Sequence, residues 1–161
     1  MIELVIPGNP VPQGRPRAGK IKRGNKRGCT ILYDPKESKE YKNYVSLIAK
    51  QHAPKYPTEA PLSVRMKVYR EIPKSTTKKD RALYITGEKR PIVKADIDNY
   101  SKSVLDALNG ILYKDDSQVV DLYSSKYYSD HPRVEVTIKE IDSVDDTEFR
   151  KGCQNELCRM R

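Results

Sequence analysis

The chain has 161 residues, and Lys plus Arg outnumber Asp plus Glu by 31 to 22 for a net charge of +9. That length fits one domain able to bury a core without disulfides or a structural metal, and an excess of positive charge points toward a polyanionic partner without separating nucleic acid from acidic lipid or simple solubility. No run of eighteen apolar residues is present to cross a bilayer.

Met1-Ile2-Glu3-Leu4-Val5-Ile6 lacks the basic start and apolar stretch of a signal peptide, so a cytoplasmic protein with no membrane partner is expected. Cys29, Cys153 and Cys158 are odd in number and read as free thiols. A zinc site would need further ligands, and His52 and His131 lack the usual paired spacing.

Ile2, Leu4 and Ile6 alternate with their neighbours and predict a first strand, closed by Pro7-Gly8-Asn9-Pro10. A long basic loop over residues 8–31 follows. It carries Arg15, Arg17, Lys20, Lys22, Arg23, Lys26 and Arg27 with no acidic residue among them, and it buries too little apolar surface to be ordered when free. Tyr41, Tyr44, Val45 and Ile48 then repeat at helical spacing, with Asp34 as the expected cap and Pro35 in the first turn.

Leu62, Val64, Met66 and Val68 alternate with polar residues, which predicts a strand with one buried face, stopped by Pro73. Ser75-Thr76 can cap a short helix over residues 78–84. Ile97, Tyr100, Val104, Leu105 and Leu108 mark an amphipathic helix ended by Asn109-Gly110. Residues 119–128 and 133–139 read as a hairpin turning at Ser129-Asp130-His131-Pro132. The expected fold class is therefore α+β, a mixed four-stranded sheet with helices packed on one face, over residues 1–141. Residues 142–161 form a tail without an assigned role, with a surface helix possible over 145–160.

Chemistry concentrates in Lys94-Ala95-Asp96-Ile97-Asp98-Asn99-Tyr100-Ser101-Lys102 and in the pair Asp115-Asp116. Carboxylates without a neighbouring histidine or cysteine suit Mg²⁺, with Mn²⁺ as a substitute, and argue against zinc. Asp96, Asp98 and Asp116 can share a metal if the chain after Gly110 folds back beside the helix, since an extended segment covers at most about 3.3 to 3.6 Å per residue. Lys102, four residues after Asp98, is placed to steady that carboxylate or to face charge developing at a phosphate. The competing reading is a helix cap and a solvated ion pair. Arg15, Arg17, Lys20, Lys22, Arg23, Lys26 and Arg27, with Lys74, Lys78 and Lys79, are the candidate phosphate contacts. Tyr33 and Tyr113 are candidates to stack on a base or sugar.

The order Asp96-Ile97-Asp98-Asn99-x-x-Lys102, Leu105-Asp106-Ala107-Leu108-Asn109-Gly110 and Tyr113-Lys114-Asp115-Asp116-Ser117-Gln118-Val119 resembles the signature of the RusA family of Holliday junction resolvases, especially phage and prophage members. Gly14-Arg15-Pro16-Arg17 and Ile72-Pro73-Lys74-Ser75 resemble the same group. The resemblance implies a RusA-like, homodimeric, Mg²⁺-dependent endonuclease that cuts four-way DNA junctions by paired nicks. It makes Asp96, Asp98 and Asp116 catalytic metal ligands, Lys102 an essential lysine and Asp115 a matched position of uncertain role. A catalytically silent junction-binding protein is the alternative. A small-substrate phosphohydrolase fits poorly, because the Asp-x-Asp pair does not directly follow an apolar strand.

Overall fold

Alternating apolar residues build the sheet, and helical repeats build the layer that covers it. The computed structural model describes residues 1–20, 24 and 28–141. In chain order the elements are β1 (Ile2–Pro7), β2 (Arg17–Lys20), β3 (Thr30–Tyr33), α1 (Lys36–Gln51), β4 (Leu62–Glu71), α2 (Lys78–Thr86), α3 (Ile97–Leu108), β5 (Val119–Ser129) and β6 (Arg133–Glu140). The expected helix over 145–160, Cys153 and Cys158 lie outside the described residues.

Four strands form a mixed sheet in the order β1-β6-β4-β5, and β2 and β3 pair as a separate antiparallel ribbon. β4 lies at the centre, antiparallel to β6 and parallel to β5. Residues 119–139 therefore do not form the expected hairpin: both strands are present, but β4 is inserted between them. The reason is burial. β4 carries Leu62, Val64, Met66 and Val68, all 0% exposed, and a strand that apolar gains most where neighbours flank it on both sides. The basic segment also differs from the expected loop, since Arg17–Lys20 and Thr30–Tyr33 pair with each other.

One face of the sheet is covered. Leu4, Ile6, Val64, Met66, Val68, Val134, Val136 and Ile138 meet Tyr41, Val45 and Ala49 of α1 and Tyr100, Val104, Ala107 and Leu108 of α3 in a single core. Burying each large side chain is worth roughly 1.5 to 3 kcal/mol. The α+β assignment with helices on one face holds.

The caps shift by one residue or change role. α2 is capped by Thr77, whose hydroxyl accepts from the Asp80 N–H, rather than by Ser75 or Thr76. Pro35, not Asp34, occupies the cap position of α1, with no side-chain cap. Asp34 is engaged elsewhere, by Lys42 and Gln13. α3 ends at Leu108, and Gly110, with φ of 71°, makes the left-handed turn after it.

Candidate active site and nucleic-acid interface

The first turn of α3 presents two carboxylates to solvent. Asp96 occupies the cap position with extended backbone, yet its side chain makes no capping hydrogen bond, which weakens the reading of Asp96 as an ordinary cap. Asp98 follows in the first turn, and both are exposed. The positive end of the helix favours negative charge at both positions. The approach to this turn is clamped from the sheet: Arg70 Nη1 donates to the Lys94 carbonyl at 2.9 Å and Lys126 Nζ to the Ala95 carbonyl at 2.9 Å. Neither clamp stands out in the sequence, because each contact is to backbone and spans more than twenty residues.

α3 runs antiparallel to β5. Ala95 meets Lys126, Ser101 Oγ lies 2.8 Å from Ser124 Oγ, and Tyr113 Oη donates to the Leu105 carbonyl at 2.9 Å. The link from α3 to β5 stays at the C-terminal end of the helix. It is held there by Gly110 N–H to the Tyr113 carbonyl, Leu112 N–H to the Leu108 carbonyl and Lys114 N–H to the Thr58 carbonyl. The chain does return along the helix, but β5 makes the return, after Asp116 has already been placed. Asp116 is thus left on the order of 20 Å from Asp96 and Asp98, given the rise of a helix and of a strand. The convergence expected from chain reach does not occur within one chain.

The donor chemistry suits a hard cation. Among the described residues no three His, Cys, Asp or Glu side chains come together in a group that could hold a metal ion. Asp96 and Asp98 are the residues that would hold such a cation, with water and phosphate oxygens completing its shell.

A family model for the endodeoxyribonuclease RusA matches residues 7–139. The chain belongs to the RusA endodeoxyribonuclease family. A relative in Bacillus subtilis (strain 168), described as an uncharacterized protein YqaN, is 49% identical over 144 residues, spanning 88% of this chain and 98% of that protein. The RusA match takes in every candidate residue named above.

Around the α3 start, the RusA-family chain assembles cations. Gln13 N–H donates to the Asn99 carbonyl at 2.8 Å and Gln13 Nε2 to Asp34 at 2.9 Å, so the ribbon of β2 and β3 is anchored beside α3. Arg15, Arg17 and Lys20 of this ribbon are exposed. Lys22, Arg23, Lys26 and Arg27 lie outside the described residues. Lys74, Lys78 and Lys79 are exposed as well, while their basic neighbours are committed internally. Arg81 pairs with Asp130 at 2.7 Å, Lys89 pairs with Asp80 at 2.8 Å, and Arg90 stacks on Tyr127 and donates to the Lys126 carbonyl.

Lys42 of α1 lies off the Tyr41, Val45 and Ile48 stripe, yet the fold draws it inward. Its ammonium lies 2.9 Å from Asp34 and 2.8 Å from Asp106, with only 19% of the side chain exposed. Burial works against its charge, but hydrogen bonds to Asp106 and Asp34 outweigh it and raise its pKa. The Lys42 hydrogen bond in turn holds the Asp34 carboxyl below its ordinary value, aided by Gln13 and, more weakly, by Lys102. Lys102 acts on Asp34 through its charge alone. No ion pair joins it to Asp98 among the described residues.

Two further candidates have structural contacts of their own. Asp115 caps the short turn Asp116–Gln118 by accepting from the Ser117 N–H, and Gln118 accepts from the Asp115 N–H in return. Tyr113 is 0% exposed and cannot stack on a base. Burial, with the nearby charges of Asp116 and Asp106, pushes its pKa up. Tyr33 is 49% exposed on the ribbon. Tyr44, on the helical repeat of α1, is 40% exposed.

Proposed function

We propose that the protein is a Mg²⁺-dependent, structure-specific endodeoxyribonuclease that resolves four-way DNA junctions by paired phosphodiester hydrolysis. The observation that supports this reading most is the open pair Asp96 and Asp98, uncommitted to capping, framed by exposed Arg15, Arg17, Lys20, Lys74, Lys78 and Lys79 inside a RusA-family chain. In the reaction, water oxygen bonds to phosphorus, one P–O bond of the backbone breaks, the water loses a proton and the departing oxygen gains one. The cationic ribbon neutralises backbone phosphates and releases counterions, which holds a branched duplex over the α3 start. Lys102, on the exposed side of that helix, places an ammonium where negative charge grows in the transition state.

The separation of Asp116 from Asp96 and Asp98 favours a second reading, a junction-binding protein without turnover. One assay separates the two. Purified protein is incubated with a synthetic four-way junction and with matched linear duplex, each with Mg²⁺ or chelator, and products are resolved on a denaturing gel. Paired nicks in the junction alone, lost with chelator, are expected. The Asp96→Asn variant should lose at least about 100-fold in cutting while binding the junction as well as wild type, because removing a negative charge cannot weaken attraction to DNA. Binding by wild type without any cutting establishes the second reading instead.

A further inference from the structure

The loop that joins α2 to α3 carries the most exposed large apolar side chain among the described residues. Ile92 is 96% exposed, and Val93 beside it 48%. One exposed isoleucine is ordinary on a protein surface, but the mounting of this one is not. Pro91 before it is buried and has a fixed backbone angle. Arg90 donates to the Gly87 and Lys126 carbonyls, both at 3.1 Å, and its guanidinium lies 3.7 Å over the Tyr127 ring. On the other side, Lys126 Nζ donates to the Val93 carbonyl at 3.5 Å and the Ala95 carbonyl at 2.9 Å, and Arg70 Nη1 to the Lys94 carbonyl at 2.9 Å. The loop is thus tied to the sheet on both sides of Ile92, while the isoleucine itself stands in solvent.

We propose that Ile92 is an apolar wedge that enters a base step at the branch point of a DNA junction and unstacks it beside Asp96 and Asp98. The charges around it select this occupant. Residues 89–95 contain Lys89, Arg90 and Lys94 and no acid. Farther back, Lys89 is paired with Asp80 and Arg81 with Asp130, but Arg70, Arg90, Lys94 and Lys126 form no ion pair among the described residues. Branched DNA meets both features at once, with phosphates for the cations and base faces for the isoleucine. Apolar side chains inserted between base steps unstack them in other DNA-binding proteins, and a branch point is where stacking is already interrupted. Asp96 lies four residues after Ile92, at most about 14 Å of extended chain. That is roughly four nucleotide steps of about 3.4 Å, so the opened step lies within reach of the carboxylates. A fixed wedge suits this work better than a mobile one, because a loop already ordered loses little freedom when DNA binds.

The wedge rests on the junction reading for its substrate, and the test separates the two because its first readout needs no cutting. A synthetic four-way junction carries 2-aminopurine next to the branch point, and the full-length protein is added in the presence of chelator. Wild type should raise the fluorescence as the base unstacks. Ile92→Ser should lose that rise yet bind the junction within about threefold of wild type, because phosphate contacts carry most of the affinity. Ile92→Leu, which keeps an apolar wedge, should restore the rise. With Mg²⁺ present, Ile92→Ser should nick the junction at least about tenfold more slowly, as expected when the barrier includes opening one step. The serine variant should keep the circular dichroism and sedimentation of wild type, since the side chain it alters is almost wholly in solvent. No fluorescence rise with wild type, or a rise that survives in Ile92→Ser, overturns the wedge; Mg²⁺-dependent nicking by the same wild-type preparation then leaves the nuclease reading standing. A serine variant that sediments as a smaller species than wild type also overturns it, by making Ile92 a contact between copies of the chain.

Discussion

Among single residues, Asp34 has the largest gap between what its neighbours in sequence imply and what it does. Asp followed by Pro at a helix start reads as a cap, but the carboxylate instead joins Gln13, Lys42 and, through Lys42, Asp106. A carboxyl held below its ordinary pKa adds stability above the unfolded value of about 3.9, and that stability is lost as pH falls through the lower folded value. Asp34→Asn should therefore cost about 1 to 2 kcal/mol at pH 7, and the gap to wild type should close toward pH 3. Urea unfolding at the two pH values checks it; an equal gap at both would remove Asp34 from the network. The partner Asp106 lies 64 residues from Lys42, so no local pattern exposes the network. Tyr113 teaches the same lesson in reverse, because its place beside Asp115 and Asp116 looked functional while its ring completes the core.

At the scale of elements, the ribbon of β2 and β3 links charge to site. Its cations are visible in composition, but its pairing is not, because residues 17–20 and 30–33 are separated by a basic stretch with no periodic signal. What orients it is the contact from Gln13 to Asn99 and Asp34. Neutralising Arg15, Arg17 and Lys20 together should weaken junction binding and lower the slope of log K against log salt by up to about 0.9 for each phosphate that the ribbon no longer neutralises. Titrations at several salt concentrations measure this directly, and an unchanged slope would take the ribbon out of the interface. α3 was legible almost to the residue, since its apolar stripe and the Asn109-Gly110 stop act locally.

For the molecule as a whole, β4 holds the two halves together. It pairs on both sides, and Met66, 0% exposed, sits in the core where the sheet meets α1 and α3. Met66→Ala should destabilise the fold by about 2 to 5 kcal/mol, read as a lower denaturation midpoint with the slope retained. A destabilisation below about 1 kcal/mol would mean that the core closes over the cavity. The net charge of +9 acts at this scale too, drawing polyanions toward the molecule from all directions.

By itself, the sequence determined what depends on neighbours along the chain: the three helices of the described residues, the alternating strands, the basic character of the chain and the family signature. These follow from periodicity, caps and turns, which need no distant partner. Tertiary structure alone decided strand order, because inserting β4 between β5 and β6 is settled by which strand gains most from burial. It alone decided that Lys42 turns inward. It also decided that Asp116 stands at the far end of α3 from Asp96 and Asp98: chain reach sets only an upper bound on distance, and the hydrogen bonds at residues 108–114 use that reach in a tight turn.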